Sequence, residues 1–296
     1  MDSARAPGPV DLHMHSVASD GEFEPEDLMG RCAAAGLGVV ALTDHNSMEN
    51  VPRAVAAAAR HGIEVIPACE ISTRWRGREH HCLAYFVPLD DPVFRERVER
   101  IRSADLERCR RWVDNAVREG FAITWEAVEA RAGRNRVVPF AILRALMLEL
   151  GADDERLARY RDNRSGLWPD WFAPGRPLAV EPPYQPELPE AIDWVREAGG
   201  VPVLAHPGAT LGDIDPEAAF AELRDQGLGA VEAWTTWHKP EQSERFAALA
   251  GAAGLPVTAG ADFHGPTVKP FVKDVGQVTH NGPEVLTGLL RSRERR

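Results

Sequence analysis

Apolar residues cluster along this chain in seven short β-rich runs: Val10–His15, Val39–Thr43, Glu64–Ile71, His81–Val87, Val201–His206, Ala230–Trp234 and Pro256–Gly260. Most of these runs are continuously apolar rather than alternating. That pattern suits parallel strands buried on both faces. Ala- and Leu-rich helical stretches such as Pro25–Ala35 and Val51–His61 lie between them. Strand and helix therefore alternate, which predicts a βα barrel or a doubly wound sheet. Gly36 and Gly62 each follow a helical stretch as its stop signal. Pro240 opens another helix, where a first-turn proline costs little.

The middle of the chain reads differently. Residues 90–189 carry no convincing buried strand. Phe94–Glu119 is a long, charge-laced amphipathic pattern, and Trp125–Ala132 and Phe140–Leu150 are shorter helical ones. Gly166–Pro189 is rich in Pro and Trp and reads as irregular. The expected organisation is a barrel built from residues 1–89 and 190–296, interrupted by a helical insertion over 90–189 that caps one end. No repeat or low-complexity tract is visible.

Length and composition then narrow the classes. The 296 residues suffice for one barrel carrying an insertion, and 44% hydrophobic content sustains a packed core. A net charge of −11 argues against duplex DNA as partner. A small anionic substrate stays open, because bound metals would supply local positive charge. No apolar run reaches the roughly 20 residues that span a bilayer, and the first nine residues lack a signal-peptide core. Cys32, Cys69, Cys82 and Cys109 show no paired spacing. They read as reduced thiols of a cytoplasmic protein, with Cys69 and Cys82 as packing residues.

The candidate chemistry lies at the strand ends. The first run ends in Asp11-Leu12-His13-Met14-His15, where residues two apart point the same way, so His13 and His15 reach one metal. Asp20 follows in the next loop. The second run ends in Thr43-Asp44-His45, the third in Cys69-Glu70, and the fourth begins with His80-His81. The fifth ends in Ala205-His206-Pro207, and Asp262-Phe263-His264 follows the seventh. In a βα barrel the loops at the strand C-termini converge on one face. A mixed imidazole and carboxylate set suits Mn, Zn or Fe. Taken singly, Asp44 is a plausible helix cap, Asp20 a turn residue and His206 a core histidine. Their joint placement on one face favours a metal site.

These motifs together resemble the PHP family, the polymerase and histidinol phosphatase superfamily of phosphoesterases. The likeness spans roughly residues 9–88 and 190–280. It implies a distorted (β/α)7 barrel and a cluster of two or three divalent ions. By that resemblance His13, His15, Glu70 and Asp262 hold a first metal. Glu70 bridges to a second on His81 and His206, and Asp20, His45 and His264 hold a third. Asp44 orients a neighbour, and Glu70, Asp262 and His206 stand at the catalytic centre. His81 sits near the start of its strand, which fits a strand-end ligand poorly.

Within the family the chain is most similar to the stand-alone enzymes acting on nucleoside 3′,5′-bisphosphates or on the 5′ end of short RNA. The expected partner is thus a small phosphorylated substrate. Glu232 and His238 are candidates to line its pocket. Relatives carry an Arg-Pro-His-type phosphate motif in the insertion; here the stretch reads Arg134-Asn135-Arg136-Val137-Val138-Pro139, with Arg144 further on. Arg134, Arg136 and Arg144 are the candidate phosphate contacts, against a reading as surface arginines of a cap. The rivals are a histidinol-phosphate or other metabolite phosphatase, an amidohydrolase and a non-catalytic metal-binding module. An amidohydrolase commonly bridges its metals with a strand lysine, and no strand here ends in one. A module that has lost catalysis would lack ligands. The tryptophans suggest nucleic acid stacking, although core or lid packing explains them better.

Overall fold

The apolar runs become strands with two buried faces. In β2 (Val39–Leu42), Val39 and Ala41 point into the barrel beside Val10 and Leu12, while Val40 and Leu42 point outward. The outer pair packs on α1 (Pro25–Ala34) and α2 (Val51–Ala59) through Leu28, Cys32, Ala54 and Ala58. Both faces are dry, which is why the sequence run is apolar without alternation. Truncating Leu42 would cost about 2–5 kcal/mol.

The computed structural model describes residues 8–132, 140–161 and 166–294. Seven strands stand in chain order around a nearly closed barrel: β1 (Val10–Asp11), β2, β3 (Glu64–Trp75), β4 (Arg78–Tyr85), β5 (Val201–Leu204), β6 (Ala230–Thr235) and β7 (Val257–Gly260). The fold is a distorted (β/α)7 barrel with a mid-chain helical insertion. Past the short β1, hydrogen bonds from Leu12 to the Ala259 carbonyl (3.0 Å) and from Asp262 to the His13 carbonyl (2.8 Å) close it. Tyr85 is fully buried inside and donates its hydroxyl to the Leu12 carbonyl at 2.7 Å.

One strand departs from the parallel expectation. β4 pairs antiparallel with both β3 and β5. Arg76 and Gly77 connect it to β3 at φ 50° and 77°, the double positive pattern of a tight two-residue hairpin. A reversed strand begins where its neighbours end. His81, near the start of β4, is therefore at the carboxyl face after all.

Helices α6 (Leu188–Glu197), α7 (Pro207–Thr210), α8 (Pro216–Asp225), α9 (Pro240–Ala252) and α10 (Pro283–Glu294) complete the outer layer; α3 (Pro92–Arg118), α4 (Trp125–Ala132) and α5 (Phe140–Leu150) fill the middle. Gly36 and Gly62 adopt φ 73° and 67° and end α1 and α2, as their position in the sequence suggests. The chain divides into two compact units, one of residues Met1–Glu99 and Pro186–Arg296, the other Arg100–Gln185. The second has its own core, with Trp112 packed edge-on against Trp168 and Phe172 at centroid distances of 5.9 and 5.8 Å. No strand lies within it among the described residues. Among those residues no helix is long and apolar enough to cross a membrane.

Candidate metal centre

At the carboxyl ends of the strands, Glu70 sits at the middle of a buried cluster. Its Oε2 lies 3.2 Å from each of His13 Nε2, His15 Nε2 and His45 Nδ1. Its Oε1 lies 2.9 Å from His81 Nδ1 and 3.1 Å from His206 Nε2. Asp262 Oδ1 is 3.3 Å from His13 Nε2 and 3.1 Å from His15 Nε2. Asp20 Oδ1 is 3.1 Å from His264 Nε2, and Asp20 Oδ2 is 3.8 Å from His45 Nε2. All nine ligand candidates read from the sequence thus converge on one face.

Their donor atoms fall into groups with ligand-like spacing. One comprises His13, His15, Glu70 and Asp262, and another His15, Asp20, His45 and His264. His45 joins Glu70 and His81 in a third. His206 stands beside that group, with Nε2 3.4 Å from His81 Nδ1. His13 Nε2, His15 Nε2, His45 Nδ1, His264 Nε2, Asp20 Oδ1, Glu70 Oε2 and Asp262 Oδ1 are buried without a hydrogen-bond partner. Leaving one such atom unsatisfied costs about 1–3 kcal/mol, so seven facing one another call for a shared occupant. Imidazole and carboxylate donors at this spacing fit divalent cations.

The electrostatics agree. Burial opposes charge on Glu70, yet His13, His81 and His45 hold its carboxyl well below the usual carboxylate range. Burial likewise opposes ionisation of Asp262, and Lys269, His13 and His264 outweigh it. Burial resists protonation of His15, but the Asp262 and Glu70 carboxylates beside it push it up to about 9. His81 is pushed up to about 10, because Glu70 and Glu79 outweigh burial. Burial instead lowers His45 to about 3, so the histidines of the cluster do not titrate alike.

A set of flanking side chains aims the cluster. Glu232 is fully buried; its Oε1 meets His13 Nδ1 at 2.9 Å and its Oε2 accepts from the His206 amide at 2.8 Å. It therefore positions two histidines and does not line a substrate pocket. Asp44 accepts from the Ser16 amide and from the Ser16 and Ser19 hydroxyls at 2.6–2.7 Å, and Ser19 Oγ lies 3.3 Å from His15 Nδ1. Its predicted orienting role thus runs through the loop that follows β1. Gly260 has no room for a side chain: a Cβ there would fall 2.2 Å from His13 Cβ and 2.7 Å from Glu232 Oε1.

The predicted substrate contacts fare differently. His238 Nε2 accepts from the Gly208 amide and its Nδ1 meets the Ala233 carbonyl, both at 2.9 Å. Both ring nitrogens are spent on backbone, so His238 anchors its loop and has none left for a substrate. Arg134 and Arg136 lie outside the described residues. Arg144 is on α5 in the helical unit, partly buried.

Sequence reasoning missed Asp11 and the loop residues that bind Asp262. Asp11 accepts amides from His13 (3.2 Å), Ala261 (2.9 Å) and Gly276 (2.6 Å), tying β1 to the loop after β7. A charged residue inside an apolar strand was the available signal. Lys269 binds Asp262 Oδ2. It comes from a loop, where nothing local marks it.

A model of the PHP domain matches residues 11–122. The chain carries a PHP domain. The chain is a metal-dependent phosphoric ester hydrolase. It is 27% identical over 288 residues to a 3′,5′-nucleoside bisphosphate phosphatase of Chromobacterium violaceum, covering 97% of each chain. A 5′-3′ exoribonuclease of Salmonella typhimurium is 29% identical over 261 residues, covering 86% of this chain and 85% of the relative. A solved structure from Bifidobacterium adolescentis, assigned as a metal-dependent phosphoesterase, superposes with TM-score 0.81 at 25% identity, covering 97% of this chain and 98% of that one.

Proposed function

We propose that this PHP protein removes phosphate from a nucleotide, namely a nucleoside 3′,5′-bisphosphate, a mononucleotide or the 5′ end of a short RNA. The seven unpaired buried atoms around Glu70 and Asp20 carry this reading, since they describe a site for more than one divalent ion. His13, His15, Glu70 and Asp262 would hold one ion, Glu70, His81 and His206 a second, and Asp20, His45 and His264 a third. The mixed nitrogen and oxygen donors fit Mn²⁺, Zn²⁺ or Fe²⁺. Bound there, such ions supply an activated water and a clamp on the phosphoryl oxygens.

The chain's own residues do the rest. Glu70 presents one oxygen to His13, His15 and His45 and the other to His81 and His206, the disposition of a bridging carboxylate. Glu232 fixes which nitrogen of His13 faces Glu70, by occupying the other. The two relatives named for nucleotide and RNA substrates favour a nucleotide here as well. Arg134, Arg136 and Arg144 are the proposed phosphate contacts. The four cysteines are buried and outside any disulfide, which would suit a reducing compartment such as the cytoplasm.

Phosphate release tests the reading. Chelator-stripped protein is reloaded with Mn²⁺ or Zn²⁺. It is then offered nucleoside 3′,5′-bisphosphates, mononucleotides, 5′-phosphorylated short RNA and histidinol phosphate. Release should require metal, vanish in Asp262→Ala and be fastest on a nucleotide. Fastest release from histidinol phosphate would replace the nucleotide assignment. No release from metal-loaded, folded protein would sink it.

A further inference from the structure

Two large apolar side chains stand exposed together at the edge of the metal cluster. Trp237, in the loop between β6 and α9, is 38% exposed, and Phe271, in the loop after β7, is 49% exposed. Their rings meet edge to face, 5.4 Å apart at 71°, and so form an open corner. Two aromatic faces left in water gain free energy when a flat apolar group covers them.

The corner is tied to the reacting end of the site. The Trp237 indole donates to Asp262 Oδ2 at 2.5 Å, and its ring centroid is 5.8 Å from that of His206. Lys269 binds the same carboxylate oxygen, with its Nζ 4.8 Å from the indole centroid. Neither loop hangs free. Thr236 Oγ1 donates to the Ala261 carbonyl at 2.8 Å, and Val272, next to Phe271, is fully buried with its amide bonded to the Lys269 carbonyl at 3.0 Å. A rigid aromatic face fixed next to the predicted ligands costs little entropy when a planar group stacks on it.

We infer that Trp237 and Phe271 are a base-stacking corner that selects substrates bearing a nucleobase beside the scissile phosphate. The inference rests on the nucleotide reading above and names the residues that would impose it. Every nucleobase has a π face, so the corner would favour a base without discriminating strongly among bases. Lys269, held at the junction of corner and cluster, adds positive charge where a substrate phosphate would approach.

The test compares adenosine 5′-monophosphate with ribose 5-phosphate, which keeps the sugar and phosphate and lacks the base. Zn²⁺-loaded wild type, Trp237→Leu, Trp237→Phe and Phe271→Ala are assayed for kcat/KM on both, and for affinity by calorimetry. The ratio of the two kcat/KM values should fall roughly tenfold to hundredfold in Trp237→Leu. It should fall severalfold in Phe271→Ala, an exposed position whose loss spares folding. Trp237→Phe should recover much of the ratio, since it keeps an aromatic face, though a smaller one, and loses the indole N–H. A ratio within twofold of wild type in both Trp237→Leu and Phe271→Ala overturns the corner. So does a Trp237→Phe variant as poor as Trp237→Leu, which would make the indole a hydrogen-bond prop for Asp262. Calorimetry separates the two readings. Adenosine monophosphate bound through the corner but not hydrolysed would overturn the hydrolase assignment alone. Affinity unchanged by the variants would overturn the corner alone.

Discussion

The two ends of the barrel obey different rules. At the amino end, where helices return to strands, the turns take the residue their backbone asks for. Gly36 and Gly62 occupy left-handed conformations with open space around them, and the amides of Gly36 and Leu37 bond back to α1. At the carboxyl end, left-handed backbone falls on His206 (φ 26°) and Asp262 (φ 53°), two of the predicted metal ligands. Such conformations cost of order 1–3 kcal/mol for a residue other than glycine. They persist because surrounding bonds over-determine them. Glu232 holds the His206 amide, and the His13 carbonyl holds that of Asp262. The helix-to-strand turns keep the local rule and two predicted ligands break it where a side chain has to be aimed, while Phe86 (φ 62°) and His280 (φ 55°) are left-handed for other reasons.

The largest effect expected from breaking this contrast is at Asp262. Asparagine tolerates a left-handed backbone and matches the aspartate in shape. Asp262→Asn should therefore fold normally by circular dichroism. It loses the charge that faces His13 and His15, and phosphate release should drop on the order of 10³-fold or more. Activity within tenfold of wild type would remove Asp262 from the centre.

Protonation offers the next largest effect, and its sign distinguishes the two ends. His15 and His81 are raised from the ordinary 6.5 to about 9 and about 10 by the carboxylates around them. The folded state holds these protons more tightly than the unfolded one. Their stabilisation is fully present below pH 6.5 and is lost as pH rises through 9 to 10. Burial lowers His45 to about 3 and raises Asp11 to about 6, and both act below that window. Metal-free protein should thus lose a few kcal/mol between pH 6.5 and 10. Metal binding displaces the same protons, so metal affinity should climb over this interval. Melting curves with and without Zn²⁺ across these pH values check both signs. A metal-free melting temperature that rises with pH would contradict them.

A smaller effect is expected one layer out. Glu232→Gln keeps a carbonyl oxygen for the His206 amide but removes the charge opposite His13 Nδ1. Partners of this kind change metal affinity or activity by about 10–100-fold when altered. Metal affinity by competition with a chelator should fall by that factor while the fold is kept. An unchanged affinity would leave Glu232 with a packing role only.

Much of this contrast could be read in the chain before any coordinates, though not evenly. The seven strands follow from apolar runs, and the glycine stops from their place after helical patterns. The nine candidate ligands stand out because His, Asp and Glu recur where those runs end. The reversal of β4 was hidden, because an apolar run carries no direction. Only Arg76-Gly77 marks the hairpin, and the misplaced position of His81 was its one consequence in the sequence. Glu232 looked like a pocket residue because its partner His13 is 219 positions away. Lys269 and Trp237 reach Asp262 from loops whose paths are set by tertiary packing, which local pattern does not encode. The same holds for His238, whose two backbone partners use up a ring that sequence alone left free.

The smallest predicted effect belongs to the amino end and sharpens the comparison from the other side. A Cβ at Gly62 would meet nothing within 4 Å, so Gly62→Ala introduces no clash. The whole cost is conformational, since alanine resists φ 67°. About 1 kcal/mol is expected, a fall of a few degrees in melting temperature for a chain of this size. Phosphate release should be unchanged, because Gly62 ends α2 at the opposite end of the strands from Glu70. If Gly62→Ala lowered kcat at saturating metal, the two ends would be coupled through the strands. The division between a floor that serves stability and a face that serves chemistry would then fail.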